Sequence, residues 1–243
     1  MTQEMDSIRT ITLTNGLTIE MILIPSGDFQ MGSAVGEEPE KPVHDIRITR
    51  PFYLGKYQVT QEQWEAVTGR NPSEAEQRGA KRPVDSVSWD DITEEFLPKV
   101  QRYAPGGWSF RLPTEAEWEY ACRAGTDTVF FFGDDAGELG EYCWYAPNSD
   151  CRTHDVGTKK PNPWGFHDML GNVYEWVEDW YDERFYDRTP RQDPCNTTPA
   201  VDRMARGGAD FKNDCRPTER RHGQPPDFRN GSFGFRLAMS QTD

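Results

Sequence analysis

Arg111-Leu112-Pro113-Thr114-Glu115-Ala116-Glu117-Trp118-Glu119-Tyr120-Ala121 is the stretch on which the fold turns. Pro113 has no N–H to give to a ladder and closes the extended run before it. Thr114, followed three residues later by Glu117, is a capping box that satisfies the first free N–H groups of a helix. Trp118, Ala121 and Cys122 then fall on one face. The stretch therefore reads as a strand end, a turn and a capped amphipathic helix.

Two further helix starts lie upstream. Thr60-Gln61-Glu62-Gln63 is a capping box ahead of Trp64 and Val67. Ser88-Trp89-Asp90-Asp91 opens a helix expected to run to about Gln101 despite Pro98. Residues 8–31 read as strands, with Asn15-Gly16 as a hairpin turn between Ile8–Leu13 and Thr18–Pro25. Val43–Ile48 and Phe52–Val59 read as two more. After Gly125 the chain turns irregular. Ordering backbone costs about 1–2 kcal/mol per residue, so buried tryptophans, side-chain-to-backbone hydrogen bonds or an ion must hold that half. No linker, repeat or low-complexity tract divides the 243 residues. The expectation is one α+β domain over 1–243.

Asp and Glu number 41 against 27 Lys and Arg, a net charge of -14. Such a chain repels phosphate backbones and anionic lipid, so nucleic-acid and membrane partners are disfavoured. Arg216, Arg220, Arg221, Arg229 and Arg236 form a candidate basic patch against that trend. No apolar run is long enough to span a bilayer, and the opening MTQEMDSIRT lacks the apolar core of a signal peptide. Five cysteines with no CxxC read as reduced thiols of a cytoplasmic protein without structural zinc.

Several motifs, in order, carry a family resemblance. Ile24-Pro25-Ser26-Gly27-Asp28-Phe29-Gln30-Met31-Gly32-Ser33 resembles "IPxGxFxMGS", and 51–60 resembles "PFYLGKYEVT". Residues 83–89 resemble "PVxxVSW", and 111–121 are "RLPTEAEWEYA". Residues 161–176 resemble "PNxxGLYDMxGNVWEW", with Arg206-Gly207-Gly208 and Gly234-Phe235-Arg236 closing the series. On these the chain is identified as a member of the formylglycine-generating-enzyme / sulfatase-modifying-factor family. The resemblance implies its variant of the C-type-lectin fold: small twisted antiparallel sheets, a few helices and much irregular loop.

Asp168, Gly171, Val173 and Glu175 offer hard oxygens at short spacing around a glycine turn, which suits calcium. The resemblance implies a structural calcium at these positions and a weaker second one at Asn148 and Ser149. Formylglycine generators hold copper(I) between two cysteines shortly after RGG. Only Cys215 stands there in this chain, and one thiolate cannot make a linear bis-thiolate site. If the chain is an oxidase, Cys215 is its catalytic candidate; otherwise it is a small buried side chain. Cys195 is the other cysteine weighed as its partner. The four histidines are dispersed, and no counterpart of the added helical domain that carries iron in related sulfoxide synthases is read here, so a histidine-ligated iron site is not expected.

Residues 210–232, between RGG and GFR, are rich in polar, charged and aromatic types. Their placement resembles that of the diversified segment in variable proteins of diversity-generating retroelements. Ligand contacts are expected from Phe211, Lys212, Asn213, Thr218, Glu219, Arg221, His222, Gln224, Phe228 and Asn230. The expectation is a monomeric binding protein for an unknown protein or small-molecule ligand. The alternative is an oxidase of a peptide or natural product, and a third option is an accessory scaffold.

Overall fold

The computed structural model describes residues 6–213 and 215–242, with Arg221 and His222 as backbone only. β1 (Ile8–Thr12) and β2 (Thr18–Ile24) form the expected antiparallel hairpin. Asn15 and Gly16 turn it with φ of 62° and 77°, the left-handed values that Asn-Gly tolerates. β3 (Gly27–Met31) pairs with β4 (His44–Ile48) in a ribbon of its own. β5 (Phe52–Gly55) lies beside β2.

β5 is shorter than read. Beyond Gly55 the chain leaves the ladder, and Val59 N–H donates instead to Phe235 O at 2.9 Å. The turn this creates carries Gln58 into the interior.

α1 (Gln61–Thr68) starts at the Thr60 box as expected. The Ser88 helix opens with Asp91 N–H donating to Ser88 Oγ at 3.0 Å. It is not a regular helix to Gln101. Residues Asp91–Phe96 form a wider π-helical turn, α2 (Leu97–Val100) is one α-helical turn, and a 3-10 turn ends it at Tyr103. Pro98 supplies no N–H to the preceding turn, and the ladder widens where that bond is missing.

β6 (Trp108–Arg111) leads through Pro113 into α3 (Glu115–Arg123), capped by Thr114 with Glu117 reaching back, as read. Two single helical turns follow, α4 (Leu139–Tyr142) and α5 (Ala146–Ser149). Then come β7 (Tyr174–Trp180), β8 (Arg203–Arg206), β9 (Arg221–Gln224), β10 (Phe233–Gly234) and β11 (Ala238–Gln241).

The strands make a five-stranded antiparallel sheet, β1-β2-β5-β11-β6, and a four-stranded sheet, β10-β7-β8-β9. The second is not wholly antiparallel, because β10 runs parallel to β7. The buried apolar side chains form two clusters. One gathers around Trp118 and the other around Trp64 and Trp176, all three 0% exposed. Trp64 stacks on Phe96 at 5.0 Å. No helix among the described residues is long and apolar enough to cross a membrane.

Candidate functional site

The loop into β7 holds three left-handed residues in five positions: Asp168, Gly171 and Asn172, with φ of 54°, 76° and 64°. The turn aims carbonyls inward. Gln58 Nε2 lies 3.2 Å from Asp168 O, 3.3 Å from Gly171 O, 3.2 Å from Val173 O and 3.0 Å from Glu175 Oε1. The four positions read as calcium ligands thus converge on one point.

They do so differently from the reading in one respect. Asp168 contributes its carbonyl, while its carboxyl Oδ2 accepts Gly157 N–H at 2.7 Å. Glu175 also accepts Arg236 Nε at 2.6 Å, Arg236 Nη2 at 2.7 Å and Trp118 Nε1 at 2.7 Å. Arg236 and Glu175 are both 0% exposed.

Three carbonyls and a carboxylate are the donors that calcium takes. Two buried oxygens nearby, Asp168 Oδ1 and Gln58 Oε1, have no partner among the described residues. The donor chemistry fits a hard cation, but as placed the Gln58 amide hydrogens point where that cation would sit. Gln58 was not anticipated, because its neighbours read as a strand.

At the second expected site, Asn148 Oδ1 accepts Tyr145 N–H and its Nδ2 donates to Cys143 O, both at 3.0 Å. Ser149 Oγ donates to Asp210 O at 2.6 Å. Both side chains tie the α5 turn to its surroundings.

The segment after β8 stands on a buried charge network. Arg206 donates to Glu115 at 2.7 Å, Glu119 at 2.6 Å and Pro217 O at 2.7 Å. Arg220 donates to Glu115 and to Pro39 O. Among the described side chains, the candidate basic patch is therefore not one continuous surface, with only Arg229 exposed. Arg220 and Arg236 are buried and paired, Arg216 grips Glu40, and Arg229 grips Asp91. The Arg221 side chain lies outside the described residues.

Of the expected ligand contacts, Phe211, Asn213 and Asn230 are exposed, while Lys212, Glu219, Gln224 and Phe228 are half-buried. Lys212 sits 3.4 Å from Glu219. Phe228 packs edge-on against Phe233. Thr218 does not stand out to solvent. It is 5% exposed and lines a cavity of about 380 Å³ with Ser33, Arg123 and Arg216. The side chains of Arg221 and His222 lie outside the described residues.

Cys215 is fully buried, and its sulfur fills the space that a Cβ on Gly208 would need. The thiol of Cys143, also fully buried, is its neighbour, and not that of Cys195. Seventy-two residues separate the two cysteines in sequence, and no spacing rule links them. Burial pushes the Cys143 thiol well above its ordinary range, and the Cys215 contact adds to this.

Residues 12–241 match the sulfatase-modifying factor enzyme 1-like domain. This chain belongs to that family. It is 28% identical to the formylglycine-generating enzyme of Streptomyces coelicolor, over 89% of this chain and 88% of that one. It is 32% identical to the serine/threonine-protein kinase pkn1 of Chlamydia pneumoniae, over 91% of this chain but only 38% of that protein. The chain thus spans well under half of that relative. Among solved structures, Treponema denticola variable protein 1 superimposes with a TM-score of 0.86 at 29% identity, covering 96% of this chain and 99% of that one. The sulfatase-modifying-factor version of the C-type-lectin fold is therefore the fold of this chain.

Within this family member, burial raises five carboxyl groups among the described residues, Glu178 and four aspartates. Asp85, Asp168 and Asp210 rise to about 6 and Asp179 to about 7. The folded state keeps protons there that the unfolded chain releases near pH 4, so their contribution is full at low pH and is lost as pH rises through 6–7. His167, lowered by burial, acts in the opposite sense below about pH 6.5. Burial alone would raise Glu115, but Arg220 and Arg206 outweigh it and hold it below its ordinary value, so it loses its contribution only in stronger acid. The melting temperature is expected to be higher at about pH 5.5 than at about pH 8. A melting series in constant ionic strength checks this, and a lower value at the acid end would contradict it.

Proposed function

We propose that this chain is a non-catalytic ligand-binding protein that recognises its ligand through residues 211–230. The observation that carries this reading is the contrast across that segment. Its base, Arg206, Ala209, Cys215 and Arg220, is buried, while Phe211 stands 45% exposed between exposed or half-exposed Lys212, Asn213 and Asn230. Leaving a large aromatic in water gains nothing for folding, and aromatics among small polar groups suit recognition surfaces. The likeness to a protein called a variable protein supports the same reading and extends it to a segment open to diversification. Calcium, if taken up, belongs to the cage around Glu175, remote in role from the ligand.

A second reading, an oxidase acting on a peptide or natural product, is favoured by the Cys143–Cys215 contact alone. Two adjacent thiolates are what a soft cation such as copper(I) requires. Against it stands the cost of deprotonating thiols in so apolar a place.

Two measurements decide. Copper(I) titration against a competing chelator is expected to show no tight stoichiometric site. Tight binding that disappears in Cys215→Ser and Cys143→Ser would establish the oxidase reading. The triple variant Phe211→Ala, Asn213→Ala, Asn230→Ala is expected to fold with stability within about 0.5 kcal/mol per site of the parent and to lose at least about tenfold in ligand affinity. Unchanged binding by that variant would remove the segment from the site.

A further inference from the structure

We propose that Gln58 is the built-in occupant of the oxygen cage, a neutral amide standing in for a cation, so that the fold is complete without divalent metal. Four oxygens face one point, and oxygens so placed repel one another unless something positive lies between them. The Gln58 amide nitrogen lies within 3.3 Å of all four. It has only two hydrogens, so the bonds are shared among the acceptors, and the amide's own oxygen is left buried without a partner among the described residues.

The orientation follows from the neighbours. Turned over, the amide would set a fifth oxygen against four others, with only Arg236 Nη2, already shared between Glu175 Oε1 and Asp168 O, offering protons. That arrangement is stable only around a cation. Nitrogen inward is therefore the metal-free state, and a cation must first turn or displace the side chain.

Charge points the same way. The Glu175 carboxylate is already answered by the two-pronged Arg236 guanidinium. A divalent ion would bring two more positive charges beside a buried arginine, where screening is weak. The side chain is also held in place. Gln58 is 1% exposed, and its segment is pinned by Val59 N–H on Phe235 O and by the Thr60 capping box.

The test uses calcium and terbium as probes. Trp118, whose indole N–H donates to Glu175, lies close enough to sensitise terbium luminescence in the cage. Wild-type protein is expected to melt within about 2 °C of the same temperature in excess EDTA and in millimolar calcium. Gln58→Glu places a carboxylate against the four oxygens. It is expected to melt about 8 °C or more lower in EDTA than in calcium and to bind terbium at least about tenfold tighter than wild type. A wild-type protein that loses about 8 °C on chelation, or equal terbium affinity in both proteins, would overturn the proposal. The wild-type arm stands whether or not the variant folds.

Discussion

Arg206→Met is expected to cost about 3–5 kcal/mol of stability, a fall of roughly 6–20 °C in melting temperature for a chain of this length. Arg206 is 0% exposed and bridges two buried carboxylates, Glu115 at 2% and Glu119 at 0% exposure. Removing it strands negative charge where water cannot reach. Arg220 still serves Glu115, and Arg123 still serves Glu119, so the network is weakened rather than abolished. Arg206 also donates to Pro217 O, so the substitution loosens the base of the proposed binding segment. The control is Arg229→Met, which removes a solvent-exposed guanidinium from its pair with Asp91 and should cost no more than about 1 kcal/mol. If the two variants melt together, the buried network is not what holds this half of the molecule.

Gly171→Ala is expected to be nearly as damaging, by about 3 kcal/mol or more, from a left-handed backbone and a steric clash acting together. A Cβ at this position would lie 2.2 Å from Trp144 O and 2.5 Å from Cys143 Sγ. That carbonyl is not free to move, because it accepts Asn172 N–H at 2.9 Å. Gly16 separates the two costs. Its φ of 77° matches the 76° of Gly171, but nothing lies within 4 Å of the Cβ that alanine would add. Gly16→Ala should therefore show the backbone cost alone, about 1–2 kcal/mol. Chemical denaturation of both variants measures the difference, and equal losses would show that the packing around Gly171 yields.

Much of this was legible in sequence because it is local. The Thr60 and Thr114 capping boxes and the Asn15-Gly16 turn depend on residues within four positions of one another, and each formed as read. Asp168, Gly171, Val173 and Glu175 also face one point across their short turn, but through the Asp168 carbonyl rather than the side-chain oxygen read from sequence. What was not legible is long-range. In EAEWEYACR a glutamate that meets an arginine some ninety residues away looks the same as one that meets water. Hence Arg220 and Arg236 read as surface charge when they are ion-paired struts of the interior. Cys143 reaches Cys215, and Gln58 reaches the β7 turn, only because the two sheets close around them. The strand read through Val59 failed for the same reason: Phe235 O competes for that backbone and wins.

β11 lies between β5 and β6, which gives the order of events in folding a particular form. Its Ala238 pairs with Leu54 on one side and Arg111 on the other. The strands read early in translation therefore meet no central partner until residues 238–241 have left the ribosome. Contacts of such sequence separation are slow to close, and until then β5 and β6 each carry an unpaired edge able to join other chains. Synthesis and sheet completion are thus decoupled for this protein. A ribosome stalled anywhere before codon 238 holds a sheet in two halves, a substrate for chaperones rather than a folded intermediate.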